Sequence, residues 1–354
     1  MKTLEALLKE KRIEGYSEEV YGVVKKNWDA VAKPLDGMGR FEHFVAQIGA
    51  IQEQTYPELE PMAVVVFAAD NGIVAQNISQ SDQSITAICA ENIANGITSV
   101  CVMAKRHGIH VQVVDVGVNA EVCASKIRRE KIRMGSRDFH IEPAMTEEEA
   151  RKAMEVGYNI AYEYKEKGYG VLGVGEIGIG NTTTSSAVAA ALLSCDAREV
   201  TGRGAGLSDQ GLVHKIDIIN EALERYELKG ADPMKILCHV GGYDLAGMVG
   251  LCIGAAQSHI PVVLDGMISL VAANLAEAMV KGTRNYLIPS HKSKEVAVTK
   301  LAENLELEPV IDASMALGEG TGAVLMMSLL QTAYEVYRCG CPFDGVGIEQ
   351  YQRF

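Results

Sequence analysis

Short runs of β-branched and other apolar residues recur along this chain, and each ends in a turn of glycine or small polar residues. Val64-Val65-Val66-Phe67 leads to Asp70-Asn71-Gly72, residues 111–116 to Gly117-Val118-Asn119, and residues 169–174 to Gly175-Glu176-Ile177-Gly178-Ile179-Gly180-Asn181. Residues 235–240 lead to Gly241-Gly242, Val262-Val263-Leu264 to Asp265-Gly266, and residues 285–288 to Pro289-Ser290-His291. Between several of them lie alanine-rich segments of helical length, at 183–194, 245–257 and 268–280. Strands that are apolar throughout, alternating with helices, are the pattern of a parallel sheet covered on both faces. The predicted fold class is therefore α/β: a mostly parallel, Rossmann-like sheet with helices on both faces. Ligands of such sheets sit beyond the carboxyl ends of the strands, so the glycine turns are expected to converge on one site.

Residues 1–60 follow a different pattern, helical and charged, and are expected to form a small helical lobe beside an α/β domain at 61–354. Residues 1–19 alternate charged and apolar positions at helical spacing and read as an amphipathic helix, not a signal peptide. Lys33-Pro34 interrupts the helical pattern ahead of Gly37-Met38-Gly39-Arg40. Further on, Thr146 followed three residues later by Glu149 predicts a helix start with a capping box. No uninterrupted apolar run of about 20 residues is present, so no membrane span is expected. With 33 Lys+Arg against 46 Asp+Glu, the net charge of −13 argues against nucleic acid as a partner.

The eight cysteines (Cys89, Cys101, Cys123, Cys195, Cys238, Cys252, Cys339 and Cys341) fall mostly in apolar runs, and the close pair Cys339-Gly-Cys341 lacks a zinc spacing. Reduced core thiols in a cytoplasmic protein are expected. The eight histidines are scattered, so no metal site is expected. The phosphate loop G-x-x-x-x-G-K-[ST], the zinc motif H-E-x-x-H and the nucleophile elbow G-x-S-x-G are all absent.

Three glycine loops can carry chemistry. In the first, Gly173, Gly175 and Gly178 satisfy the dinucleotide pattern G-x-G-x-x-G ahead of an alanine-rich helix, which leaves a nicotinamide-dependent oxidoreductase as a rival reading. Glu176 inside that loop would repel a pyrophosphate and suits a role near ribose hydroxyls. Backbone N–H groups at the helix start favour an anion, although the same residues would also make a tight turn before a capped helix. The second loop, residues 202–209, precedes Lys215, which is either a cation for a phosphate or a solvated surface lysine. In the third, Leu317-Gly318-Glu319-Gly320-Thr321-Gly322 sets one carboxylate between glycines before an apolar helix. Apolar walls would raise its proton affinity toward that of a general base; otherwise it is an exposed loop acid.

Taken in order, Lys33-Pro-Leu-Asp-Gly-Met-Gly-Arg-Phe-Glu42, Phe67-Ala-Ala-Asp-Asn-Gly72, Gly175-Glu-Ile-Gly-Ile-Gly-Asn-Thr-Thr-Thr184, Gly202-Arg-Gly-Ala-Gly-Leu207, Val240-Gly-Gly-Tyr-Asp244, Leu264-Asp-Gly266, Ser290-His-Lys-Ser293 and Leu317-Gly-Glu-Gly-Thr-Gly322 resemble the nicotinate-nucleotide:dimethylbenzimidazole phosphoribosyltransferase family of cobamide biosynthesis. The resemblance spans about residues 30–325. It implies transfer of phosphoribose from nicotinate mononucleotide, a substrate, to the lower-ligand base of a cobamide, with no cofactor and no metal. It implies Glu319 as the catalytic base and Glu176 as a second carboxylate at the reacting centre. The phosphate is expected at Gly178, Gly180 and Asn181, the Gly204-Ala205-Gly206 turn, Lys215, and Ser290 or Ser293. A homodimer, or a heterodimer with a homologous subunit, is implied as the assembly. A support subunit of a heteromeric transferase is the alternative reading.

The chain departs from the family pattern where the acceptor is expected, along Ser79, Ser81, Ile88 and Leu317. Residues 78–88 lack the usual aromatic residue and proline, Ile88 stands where a glutamine is usual, and Asn71 replaces a histidine. Small polar groups and an aliphatic wall point to a smaller or differently hydrogen-bonding acceptor, such as phenol or p-cresol. The tail at 339–347 also departs from the family's customary ending.

Overall fold

A computed structural model describes residues 2–204 and 206–353. Six parallel strands form one sheet: β1 (Met62–Ala69), β2 (His110–Gly117), β3 (Arg128–Arg129), β4 (Val171–Ile177), β5 (Val262–Val263) and β6 (Leu287–Ile288), in the order β3-β2-β1-β4-β5-β6. At the centre Val64 lies opposite Val111 of β2 and Gly173 of β4. The chain steps outward from β1 to β3, returns to the centre as β4, and steps outward the other way. That reversal between β1 and β4 opens a crevice at the carboxyl ends.

Every residue of β1 is buried. Ala63, Val65, Phe67 and Ala69 enter one core, while Met62, Val64, Val66 and Ala68 enter the other. The first core includes the helices Glu147–Glu166, Asn181–Leu192, Tyr243–Gln257 and Met267–Met279; the second includes Phe44, Ile48 and the helix Thr321–Cys339. Burial on both faces explains why β1 reads as an unbroken apolar run, each Val or Phe contributing roughly 1.5–3 kcal/mol. The predicted capping box is present: Thr146 Oγ1 accepts from the Glu149 N–H at 3.2 Å, and the Glu149 carboxylate accepts from the Thr146 N–H at 2.8 Å.

Three expectations are corrected. Residues 235–240 are not a strand but part of the helix Pro233–Val240, because Asp232 accepts from the Met234 N–H and Pro233 occupies the first turn. Residues 1–19 are not one helix. The helix Leu4–Glu10 stops at Lys11, in the left-handed region at φ +57°, Arg12 then bridges to Lys281, and a new helix, Glu18–Ala30, starts at the Ser17 cap. Only Cys101, Cys238 and Cys252 are buried; Cys89 and Cys195 are half-buried, and Cys123, Cys339 and Cys341 are exposed, all as free thiols.

The helices Glu18–Ala30 and Arg40–Gln52 are joined by the other end of the chain. Val24, Trp28, Val45 and Ala46 pack with Tyr337. Val31 pairs with Pro342, and Arg353 forks onto Asp29 and Asp36 at 2.7–2.8 Å. Residues 84–106 are long and apolar enough to cross a membrane by composition alone, but Gly96, at φ +77°, divides them into Ser84–Ala94 and Ser99–Arg106. Ala90, Ile93, Val100 and Ala104 pack into the second core.

Candidate active site

β4 delivers Glu176 to the crevice, and the turn after it crosses the end of β1. A Cβ at Gly178 would lie 2.0 Å from the Ala69 carbonyl oxygen, so the crossing requires glycine. Neighbouring groups pin the turn: the Ile179 N–H donates to Thr86 Oγ1 at 3.0 Å, and that hydroxyl donates to Asp70 at 2.6 Å. Asn181, opening the next helix, donates its amide to the Glu176 carboxylate.

Glu319 reaches the same place from the opposite side. Gly318, Glu319 and Gly320 are all left-handed, at φ +82°, +61° and +87°. For a glutamate this conformation costs on the order of 1–2 kcal/mol and persists only where the surroundings enforce it. Asp265, at the end of β5, does so: its carboxylate accepts the N–H groups of Gly320 at 3.0 Å and Gly322 at 2.7 Å, capping the helix Thr321–Cys339. Gly175 closes the other side, since a Cβ there would lie 2.5 Å from the Gly320 nitrogen.

The result is a cluster of acids with little to neutralise it. Glu319 Oε2 is buried without a hydrogen-bond partner, and burial, reinforced by Asp265, pushes its proton affinity up. Glu176 is raised well above the usual carboxylate range by burial, then by Asp244, Asp265 and Glu319. Burial also raises Asp265, against the pull of His291, whose own proton affinity burial lowers.

These groups surround a cleft of about 250 Å³. Of the residues singled out from the sequence, Glu176, Gly178, Asn181, Gly204, Ser293, Leu317 and Glu319 line it. Gly180, at φ +94°, serves as the cap of the helix Asn181–Leu192. The Gly206 carbonyl accepts from Gln80 Nε2 at 2.6 Å, and Ala205 lies outside the described residues. Lys215 is no surface lysine. It is fully buried, with Nζ donating to Thr182 Oγ1 at 2.9 Å and to the Gly202 carbonyl at 3.3 Å, and burial pulls its ammonium down to about 8. Ser290 is also buried and donates to the Asp265 carbonyl oxygen at 2.8 Å. Ser79, Ser81 and Ile88 lie outside the lining, and Ile88 is 52 % exposed.

Sequence reasoning named Thr182, Asp265 and His291 only as parts of motifs, and missed Glu295 at the cleft altogether. Asp265 had a usable signal, an acid directly at a strand end before glycine. Among the described residues, no group of three or more His, Cys, Asp or Glu side chains is placed to hold a metal ion. A larger concavity of about 790 Å³ opens near Arg137 and Arg151, but those cations already pair with Glu149 and Glu147.

The model of a family described as phosphoribosyltransferase matches residues 13–348. The chain belongs to this phosphoribosyltransferase family. It is 40% identical over 335 residues, 95% of each chain, to the nicotinate-nucleotide–dimethylbenzimidazole phosphoribosyltransferase of Acetivibrio thermocellus. It is 39% identical over 342 residues, 97% of each chain, to the Clostridium acetobutylicum protein of the same name. The crystal structure of CobT from Thermus thermophilus superposes with a TM-score of 0.89 at 35% identity, covering 94% of this chain and 100% of the other. As a phosphoribosyltransferase the chain is a pentosyltransferase, and the oxidoreductase reading of the first glycine loop falls away. The cleft is lined by the segments that follow β4, β5 and β6, on the carboxyl side of the sheet where open parallel sheets generally hold ligands.

Proposed function

We propose that this phosphoribosyltransferase moves phosphoribose from nicotinate mononucleotide to the lower-ligand base of a cobamide, releasing nicotinate and giving an α-ribotide. The observation that carries the reading is Glu319 Oε2, buried at the cleft with no partner and with its proton affinity raised. Such an atom is a ready acceptor for one proton. The acceptor's N–H or O–H proton passes to Glu319 as its lone pair forms the bond to the ribose C1 carbon. The C1–N bond to nicotinate breaks, its electron pair returning to the pyridine nitrogen, and attack from the opposite face inverts the sugar.

Positive charge develops on the ribose as that bond weakens. Glu176, whose carboxylate accepts from the Asn181 amide at the cleft, gains a favourable interaction as this charge appears, which is the condition for stabilising a transition state over a ground state. The phosphate is assigned to Gly178, Gly180, Asn181, the 204–206 turn and Ser293, with Lys215 acting from behind Thr182.

Among the described residues the cleft lining carries Leu317, Met267, Ile268 and Ile177 and no Phe, Tyr or Trp side chain. A phenol suits such a wall: it offers one hydroxyl for Glu319 and needs no second polar partner. Residues 78–88 touch the lining through Thr86, whose hydroxyl accepts from the Ile179 N–H, and are assigned the acceptor choice.

Incubation with nicotinate mononucleotide and a mixture of dimethylbenzimidazole, benzimidazole, adenine, phenol and p-cresol tests both parts. An O-linked phenolic ribotide is expected, with Glu319→Gln reducing turnover by roughly 10²–10⁴-fold. An N-linked benzimidazole ribotide as main product overturns the phenolic assignment and keeps the transfer. No release of nicotinate by the isolated chain overturns the transfer and favours a support subunit.

A further inference from the structure

The corner assigned to the phosphate contains a carboxylate that the transfer does not use. Glu295 lines the cleft beside Ser293 and Gly204. Its Oε2 would lie 2.0 Å from a Cβ built on Gly202, so the carboxylate rests against that glycine. The carbonyl of Gly202 accepts from the buried Lys215 ammonium at 3.3 Å. A carboxylate and an ammonium therefore flank one glycine without a direct ion pair between them, and no hydrogen bond from the described residues reaches the carboxylate. Each opposes the effect of burial on the other: burial raises Glu295 and Lys215 lowers it, while burial lowers Lys215 and Glu295 raises it.

Two physical arguments follow. An ammonium buried as completely as Lys215 is costly without a compensating charge, so an empty corner needs an anion of its own. A phosphate monoester carrying about −1.5 to −2 charges at neutral pH needs a net positive corner, and Glu295 offsets the buried Lys215 there, while the neighbouring Arg203 is already paired with Asp209. The same carboxylate that stabilises the empty site opposes the filled one.

We propose that Glu295 is a placeholder for the substrate phosphate: in the empty cleft its carboxylate compensates Lys215 at Gly202, and the phosphate of the incoming nucleotide displaces it. The placement rests on reading this corner as the phosphate site of a phosphoribosyl substrate. Displacement requires only side-chain rotation, because the backbone of the segment is tied elsewhere. The Lys292 N–H donates to the Ile311 carbonyl at 2.9 Å and the Lys294 N–H to the Met315 carbonyl at 3.1 Å.

Two substitutions remove the placeholder by different routes. Glu295→Gln keeps its shape and deletes its charge. Gly202→Ala keeps the charge and puts a methyl group where the carboxylate rests; the three atoms nearest that methyl all belong to Glu295, the far end of a flexible side chain. Calorimetric titration with inorganic phosphate is expected to show both variants binding roughly 5- to 10-fold tighter than the wild type, the scale of one partly screened charge repulsion. The KM for nicotinate mononucleotide should fall with it, while the KM for nicotinate riboside, which lacks the phosphate, should not move. Weaker phosphate binding by Glu295→Gln would mean that the carboxylate helps to hold the substrate and would overturn the proposal. Equal binding by wild type and both variants overturns it as well. Phosphate titration needs no turnover, so a chain that transfers nothing removes the functional reading without deciding the role of Glu295.

Discussion

Glu42 and Glu319 are the same amino acid under opposite treatment by one fold. Glu42 is completely buried in the lobe built from the two ends of the chain, and its carboxylate oxygens are engaged. Oε1 accepts from Lys33 Nζ at 2.5 Å and from the Met38 N–H at 3.0 Å, and Oε2 from Lys25 Nζ at 3.3 Å. Lys25 in turn bonds Asp36, which Arg353 also holds. Glu319 Oε2 in the cleft and Asp244 Oδ2 outside its lining are buried with no partner, and Glu176 has Asp244, Asp265 and Glu319 for neighbours. Burial is common to both regions; compensation is not. A carboxylate paired with ammonium groups holds a fold together, whereas one left among other carboxylates keeps an unused capacity for a proton or a positive charge.

The sharpest way to break this contrast is to move Glu319 without touching its chemistry. In Gly175→Ala the new methyl group would press on the Gly320 nitrogen at 2.5 Å and on the Glu319 carbonyl carbon at 2.7 Å. These are backbone atoms, and Asp265 holds the segment from the other side. Displacement of the base by even a fraction of an ångström is expected to lower kcat roughly 100-fold, measured in single-turnover assays with saturating nucleotide. Wild-type kcat in this variant would show that the left-handed loop does not set the position of the base.

The converse substitution is Glu42→Gln. It deletes the charge that Lys25 and Lys33 share, while their side chains are 24% and 12% exposed and can partly recover water. A loss of about 2 kcal/mol in urea unfolding at neutral pH is expected, below the roughly 3–5 kcal/mol of a fully enclosed broken pair. Single-turnover kcat should remain that of the wild type. A fall in kcat without a loss of stability would erase the distinction between the two regions.

How far each region was legible in the sequence follows from the range of the interactions that make it. β1 and β2 and the Thr146–Glu149 capping box depend on neighbours within a few residues, so local pattern reveals them. Glycine loops also announce close approach, and Glu176 and Glu319 stand out because each is an acid set in such a loop. Residues 235–240 misled because an apolar hexamer reads equally as buried strand or buried helix; Asp232-Pro233, a cap followed by a first-turn proline, held the answer. The share of the C-terminal end in the expected N-terminal helical lobe stayed hidden because Trp28 meets Tyr337 across more than 300 positions of chain, and no local pattern encodes that. Lys215 and Glu295 were invisible as a pair for the same reason: each looks like a surface residue until the Gly202 turn brings them together.

Asp244 offers the finest test of the contrast, because it can be neutralised without touching either the terminal lobe or Glu319. It lies in the first turn of the helix Tyr243–Gln257, fully buried, and burial pushes its carboxyl up to about 7, although the Leu245 N–H favours the charged form. In the unfolded chain the value returns to about 3.9. The folded protein therefore keeps a proton that the unfolded chain releases, and the stability from this group is fully present below about pH 4 and lost as pH rises toward 7. Three units set an upper bound of about 4 kcal/mol. Asn has nearly the same shape and does not ionise, but its amide must occupy the place of the unpartnered Oδ2. Asp244→Asn should consequently match the wild type near pH 4 and exceed it by about 1–2 kcal/mol at pH 8, flattening the pH dependence of the urea midpoint between them. If the two proteins stay parallel across that range, burial at Asp244 is relieved by some other means, and the uncompensated character of the cleft narrows to Glu176 and Glu319.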